Sequence, residues 1–122
     1  MKWEVIFDNE FAGEVEALDP AVRIELMACV QLLHQIGPRL GRPRVDTLNG
    51  SCHANMKELR FSAADGVWRV AFAFDPKRQA VLLVAGDKSG ISERRFYQRL
   101  IETADRRFDA HLARLKEKGR RR

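Results

Sequence analysis

The sequence predicts an α+β domain with the element order β-α-α-β-β-β-α, an antiparallel sheet of about four strands and a long C-terminal helix. Three observations support this fold class. Two short helical patterns meet at Asp19-Pro20, large and small residues alternate along 67–74, and an apolar period of 3.6 residues follows Ser92. The 122 residues, of which 45% are hydrophobic and 32% charged, have the size and composition of one folded domain.

The N-terminal third is expected to form a strand and then a helical hairpin. β-Branched and aromatic residues over 3–7 indicate a short strand. Asp8 or Asn9 can cap the first helix, and Asp19 can cap the second, with Pro20 in its first turn. The apolar faces of the two helices are Phe11, Val15 and Leu18, followed by Val22, Leu26, Cys29, Val30, Leu33 and Ile36.

The middle of the chain is expected to form an irregular connection and then three strands. Residues 37–54 hold the densest cluster of glycine and proline, so no regular element is predicted there. Turn signals over 64–66 and 75–78 separate strands predicted at 55–62, 67–74 and 79–85. After a loop over 86–90, Ser92 caps the last helix. Its apolar face comprises Phe96, Leu100, Ile101, Ala104, Phe108, Leu112 and Leu115.

Positive charge is concentrated in the later part of the chain. The net charge is +5, yet residues 1–36 hold two basic and seven acidic side chains, whereas 37–85 and 86–122 carry net charges of +4 and +6. This distribution favours an acidic partner. A single domain is predicted over 1–118, with a basic, disordered tail over 119–122.

The location expected from the sequence is the cytoplasm, with no membrane partner. No apolar stretch is long enough to cross a bilayer, and the first residues lack the pattern of a signal peptide. Two cysteines do not make a disulfide framework, which agrees with a reducing compartment.

The alternation along 67–74 predicts two unlike faces of the sheet. The large residues Trp68, Val70, Phe72 and Phe74 should pack against the helices, and the other face holds Arg69, Ala71 and Ala73. An even-length hairpin loop places Arg60 beside Arg69, adds Glu58 and Met56 to that face, and points Lys57 away from it. The sequence therefore predicts a shallow, open surface around two arginines.

Two interpretations of this surface stay open from the pattern alone. Arg69 can be an exposed arginine on a half-solvated sheet, paired with Glu58. Alternatively, Arg60 and Arg69 can form a concave basic surface that binds phosphate, because guanidinium groups stay charged and bind phosphate through two parallel hydrogen bonds.

Several segments together resemble the RelE/HigB superfamily of bacterial type II toxins, and most closely its phage-derived HigB-like branch. They are MKELRF over 56–61, GVWRV over 66–70, VLLVAGDK over 81–88 and ERRFY over 93–97. The resemblance covers nearly the whole chain and implies a RelE-like fold. It also implies an endoribonuclease that cleaves messenger RNA on the ribosome, uses no metal or other cofactor, and is inhibited by a helix-turn-helix antitoxin.

The resemblance further implies roles for individual residues. Arg69 matches the strand arginine that would stabilise the developing phosphorane charge, and Lys88 matches a basic residue that would contact phosphate or the leaving oxygen. Tyr97 matches a late tyrosine suited to base stacking or proton transfer. Arg60 matches a basic residue at the end of the first hairpin strand. Further candidates for RNA contact are Lys57, His53 and Arg44.

Some alternatives stay open at this point. The general base can be Glu58, a histidine, or absent, because lysines found along this strand in some relatives are Met56 and Glu58 here. His34, His53 and His111 lack metal-ligand spacing, so no metal site is expected. The rival functions are a ParE-like toxin acting on DNA gyrase and a non-enzymatic RNA-binding or regulatory module.

Overall fold

In the computed structural model, which describes residues 2–120, helices lie on both faces of a five-stranded sheet. The strands are β1 Glu4–Phe7, β2 Val45–Thr47, β3 Lys57–Ala63, β4 Gly66–Phe74 and β5 Gln79–Asp87. The helices are α1 Asn9–Glu16, α2 Pro20–Ile36 and α3 Glu93–Arg120, and a short 3₁₀ turn covers Gly37–Arg39. The α+β class and the predicted order of the main elements are confirmed.

The sheet has the strand order β1-β5-β4-β3-β2. Its pairs are antiparallel except at one edge, where β1 runs parallel to β5. The prediction of about four antiparallel strands was therefore incomplete. The strand β2 lies in the segment predicted to be irregular. It was not predicted because three residues among glycines and prolines are too few to show an alternating pattern. The parallel edge is a long-range pairing that local turn signals cannot indicate.

The helical hairpin begins where the sequence indicated. Asp8, one of the two candidate caps, accepts hydrogen bonds from the backbone N–H groups of Glu10 and Phe11 at 3.0 and 3.2 Å. Asp19 caps α2 through the N–H group of Ala21 at 2.9 Å. Together α1 and α2 bury their apolar faces against the large residues of β3, β4 and β5.

The second face of the sheet is covered by α3, which corrects the prediction of an open surface. Ala71 and Ala73 are fully buried against Phe96, Leu100, Ala104 and Phe108 of this helix. Their small side chains leave room for α3 to pack closely on the sheet. Met56 and Glu58, also predicted on an open face, are buried as well. The side chains of Arg60 and Arg69 on this face are 35% and 13% exposed.

The opposite charges of the two ends of the chain meet inside the fold. Arg107 is buried, and its Nη1 atom donates hydrogen bonds to Glu14 Oε1 at 2.8 Å and to the backbone oxygen of Leu83 at 2.7 Å. Arg106 pairs with Glu10 at 3.1 Å on the surface. Part of the basic C-terminal block therefore neutralises the acidic N-terminal block rather than an external partner.

The helix α3 continues through Arg120, so Gly119 and Arg120 of the predicted tail are helical. Arg121 and Arg122 lie outside the described residues. Among the residues that are described, no helix has the length and apolar character needed to span a membrane.

Candidate active site

A tight hairpin brings the two sheet arginines together. The two turn residues between β3 and β4, Ala64 and Asp65, have φ angles of 49° and 61°, as a two-residue hairpin turn of type I′ requires. This turn fixes a register in which Arg60 lies directly opposite Arg69. The predicted pairing is therefore confirmed, and its cause is the even length of the loop.

The Glu58 carboxylate is the centre of the site. It is buried, and its Oε2 atom accepts a hydrogen bond from Arg60 Nη2 at 3.0 Å, while Oε1 lies 3.7 Å from Arg69 Nε. Arg69 also donates from Nη1 to the backbone oxygen of Trp68 at 2.9 Å. Within residues 2–120, the buried Nε atoms of both arginines have no hydrogen-bond partner, so each guanidinium group keeps unused donor capacity.

Tyr97, in the first turns of α3, completes this cluster from the helix side. Its hydroxyl group donates a hydrogen bond to Glu58 Oε1 at 2.7 Å. Burial, and then the hydrogen bond to the Glu58 carboxylate, raise the pKa of Tyr97, although Arg69 opposes the shift. Tyr97 is therefore protonated at neutral pH and positioned as a proton donor.

Lys88 lies beside Tyr97 on the loop that follows β5. Its Nζ atom is 3.1 Å from Glu93 Oε1 and 5.9 Å from the centre of the Tyr97 ring. The loop is shaped by Asp87, whose Oδ1 atom accepts from the N–H groups of Val67 and Ser89 at 3.0 and 2.9 Å. These bonds, those from Ser89 first, hold the pKa of Asp87 below its usual value.

An open groove of about 460 Å³ runs from this cluster across the end of the sheet. Glu58, Arg60 and Tyr97 line it together with residues that sequence reasoning did not select, namely Asp46, Thr47, Leu48, Asn49, Glu93 and Arg94. Asp46 of β2 lies 3.5 Å from Arg60 and 3.1 Å from Arg42. Arg94 is exposed and forms no ion pair within the part of the chain described here. The ERRFY segment over 93–97 contains Arg94 and could have indicated it as a site residue. The short strand β2 gave no sequence pattern that would have indicated Asp46.

Comparison with known proteins identifies the family. Residues 13–109 match the family described as Phage derived protein Gp49-like. The chain belongs to the Gp49-like family. Two proteins of Mycobacterium tuberculosis (strain ATCC 25618 / H37Rv), both named as candidate toxins, are similar to this Gp49-like chain. HigB2 is 46% identical over 93 residues, which are 75% of this chain and 46% of HigB2. HigB3 is 45% identical over 97 residues, which are 80% of this chain and 82% of HigB3.

The predicted RelE/HigB resemblance is thereby confirmed, and the Gp49-like chain is similar to two proteins named as HigB toxins. The chain spans less than half the length of HigB2. A solved structure of a mutant E. coli toxin RelE in the free state has a TM-score of 0.59, with 83% of this chain and 95% of that chain covered. At 15% identity, this likeness concerns the fold alone.

Three predicted RNA contacts of the Gp49-like chain lie away from the groove. Lys57 alternates with Glu58 along β3 and so points to the α2 face of the sheet. Arg44 is exposed before β2 and lies beside the thiol of Cys29, whose pKa is raised by burial and lowered in part by this arginine. His53 is held against α3, where its Nε2 atom lies 2.7 Å from Asp109 Oδ1.

The histidines of the Gp49-like chain do not reach the groove either. His34 Nδ1 lies 2.7 Å from the backbone oxygen of Trp3, and His111 Nε2 lies 2.7 Å from the buried Asp75 Oδ2. His53 contacts Asp109 of α3 instead. Of the alternatives for a general base, Glu58 is thus the one that lines the groove.

Proposed function

We propose that this protein is a metal-independent endoribonuclease that cleaves messenger RNA on the ribosome in the cytoplasm and is inhibited by a cognate helix-turn-helix antitoxin. The observation that carries the proposal is the Glu58 carboxylate, held among Arg60, Arg69 and Tyr97 at an open groove. Similarity to two proteins named as HigB toxins supports the biological role, and this cluster supports the chemistry.

The reaction would use the RNA's own 2′-hydroxyl group as nucleophile. Its oxygen forms a bond to the adjacent phosphorus while the bond from phosphorus to the 5′-oxygen breaks. The products are a 2′,3′-cyclic phosphate and a free 5′-hydroxyl group. Such a step needs a proton acceptor, a cationic group for the phosphorane charge and a proton donor for the leaving oxygen.

The site offers one group for each of these needs. Glu58 accepts the proton of the 2′-hydroxyl group, and Arg69, with Arg60 beside it, stabilises the negative charge that develops on the phosphorane. Tyr97 donates a proton to the leaving 5′-oxygen, and its raised pKa keeps the hydroxyl group protonated at neutral pH. The entering phosphate would compete with Glu58 for the guanidinium donors and thereby free the carboxylate to act as a base.

Cations on either side of Tyr97 would hold the flanking RNA. Lys88 lies on the loop before α3, 5.9 Å from the Tyr97 ring, and Arg94 lies in the first turn of α3, where the helix dipole adds partial positive charge. Contacts of this kind bind the phosphate backbone without reading sequence. An antitoxin could inhibit the enzyme by placing acidic residues over Arg60, Arg69 and Lys88.

The proposal is tested by expressing the protein in bacteria without its antitoxin, mapping transcript ends and measuring gyrase supercoiling in the same cells. Codon-phased cuts with 5′-hydroxyl ends support the nuclease. Arg69→Ala should lower cleavage by about 10²–10³-fold, the usual effect of removing one charge-stabilising donor. Arg39→Ala, which removes an exposed arginine outside the groove, is the matched control and should leave cleavage unchanged.

The rival functions give different results in the same experiment. Intact transcripts with inhibited supercoiling would contradict the nuclease and support a gyrase poison. Growth without inhibition, despite folded protein, would support a non-enzymatic module.

A further inference from the structure

A second cluster of chemically reactive side chains lies on α3, away from the groove. The segment between β2 and β3 packs Cys52 and His53 against Asp105. The thiol sulfur, one imidazole nitrogen and one carboxylate oxygen of these three residues all lie within 4.8 Å of one another. Asp109, one helical turn beyond Asp105, lies 2.7 Å from His53 Nε2.

The surrounding contacts orient these groups toward one another. The backbone N–H group of Cys52 donates to Asp105 Oδ2 at 3.1 Å, and the Ser51 hydroxyl group donates to Asp105 Oδ1. The edge of the His53 ring packs on Phe108, with 4.9 Å between ring centres. The loop and the helix thus present three possible ligands, with Asp109 beside His53.

We propose that Cys52, His53 and Asp105 form a binding site for Zn²⁺ or a divalent cation of similar ligand preference, with Asp109 holding the His53 ring in place beside it. A thiolate, an imidazole and carboxylates are the ligand types that Zn²⁺ binds in tetrahedral sites, whereas Mg²⁺ and Ca²⁺ select sites made of oxygen alone. Asp105 and Asp109 are four residues apart on α3, so both carboxylates face the loop.

This proposal reverses the expectation drawn from residue spacing. A zinc pattern usually contains two pairs of cysteine or histidine residues at short spacing. Here the adjacent Cys52-His53 is joined by a carboxylate, Asp105, more than 50 residues later. Only the packing of the loop on α3 brings these groups together.

A bound cation would tie the segment between β2 and β3 to α3. The beginning of that segment, Leu48 and Asn49, forms one wall of the groove. The site is therefore placed to stiffen this wall, whatever chemistry takes place in the groove.

The direct test is titration of the chelator-treated, reduced protein with Co²⁺, followed by displacement with Zn²⁺. We expect one Co²⁺ per chain, a thiolate-to-cobalt charge-transfer band and intense ligand-field bands typical of tetrahedral coordination. Excess Mg²⁺ or Ca²⁺ should not displace the cobalt. Absence of the charge-transfer band in the wild-type protein would overturn the proposal.

Three variants identify the ligands. Cys52→Ser should abolish the charge-transfer band, and Asp109→Asn should weaken Co²⁺ binding by about 10–100-fold, the usual effect of removing a group that orients a ligand. Both positions are exposed, so folding is expected to persist and is checked by circular dichroism. Glu117→Gln, an exposed carboxylate three turns along the same helix, is the control and should bind as the wild type does. A charge-transfer band that survives in Cys52→Ser would assign cobalt binding to Cys29 and refute the site.

Discussion

Replacing Glu58 by glutamine tests whether this carboxylate holds the site together. Glutamine has the same shape and can still accept the hydrogen bond from Tyr97, but it removes the charge that faces the two arginines. The Glu58 side chain is 4% exposed, and those of Arg69 and Arg60 are 13% and 35% exposed. The variant therefore leaves one nearly buried guanidinium group without its carboxylate.

The structure gives the size of the expected effect. Removing one partner of a buried ion pair costs about 3–5 kcal/mol, because the other charge stays buried. Arg60 contributes little to this cost, since it is partly exposed and also lies 3.5 Å from Asp46. Arg69, at 3.7 Å from Glu58, dominates. We expect the free energy of unfolding to fall by about 3 kcal/mol, at the lower end of that range because the pair is not in direct contact. In a domain of this size that lowers Tm by about 10 °C.

Urea denaturation of Glu58→Gln, Arg69→Met and the double variant measures this effect. If the two residues stabilise each other, Glu58→Gln should cost about 1–3 kcal/mol less in the Arg69→Met background than in the wild type. Circular dichroism follows the transition, and an unchanged slope with urea shows that the unfolded states are comparable. A loss below about 0.5 kcal/mol in the single variant, or an equal loss in both backgrounds, would refute the reasoning.

Three further predictions concern the tyrosine, the buried arginine of α3 and the groove. Tyr97 is the one tyrosine in the sequence, so the absorbance of tyrosinate reports on the ionisation of this residue alone. The pH at the midpoint of this titration should lie above about 10 and should fall in Glu58→Gln. Arg107→Met should lower the free energy of unfolding by about 3 kcal/mol in urea, because the buried Leu83 backbone oxygen loses its donor and the buried Asp8 carboxylate loses a cation, whereas Arg106→Met, at an exposed pair, should cost less than about 1 kcal/mol. Arg94→Ala should weaken binding of a short single-stranded RNA and reduce the slope of log affinity against log salt by about 0.7, as loss of one phosphate contact does.

Each of these predictions has a result that contradicts it. An ordinary midpoint for Tyr97 would show that neither burial nor Glu58 acts on the hydroxyl group. The raised pKa of Tyr97 also means that this residue contributes to the free energy of unfolding in full below about pH 10. The contribution is lost as the pH rises further, because tyrosine ionises at a lower pH in the unfolded chain than in the folded protein. A Tyr97→Phe variant should lack this loss. Equal costs for Arg107→Met and Arg106→Met would exclude a special role for the buried pair, and an unchanged salt slope in Arg94→Ala would exclude a phosphate contact.

Local patterns were sufficient to predict most of the fold. Asp19-Pro20 marked the start of α2, and the turn after β3 fixed the register that places Arg60 opposite Arg69. What local patterns could not provide was the position of α3. Ala71 and Ala73 have the same small side chains on an open face as beneath a closely packed helix, so the sequence favoured the wrong alternative.

The sequence also predicted part of the candidate site, but not all of it. Of the residues that were selected, Arg60 and Tyr97 line the groove, while Arg69 lies behind it at 3.7 Å from Glu58 and Lys88 lies 5.9 Å from the Tyr97 ring. The central role of Glu58 depends on its burial beneath α3, which joins residues 39 positions apart. His53, Lys57 and Arg44 were selected as cations near the sheet in sequence, but strand alternation and loop packing direct them elsewhere.

The contacts between α1 and α3 also affect when the domain can fold during its synthesis. Glu14 is translated 93 residues before its partner Arg107. The strand β1 likewise cannot pair until β5, its parallel partner, has been translated. Contacts of such separation form late and slow folding. A growing chain therefore displays the hairpin arginines before Tyr97 and the rest of α3 exist to cover Glu58. The groove therefore forms only after the first turns of α3 have been translated.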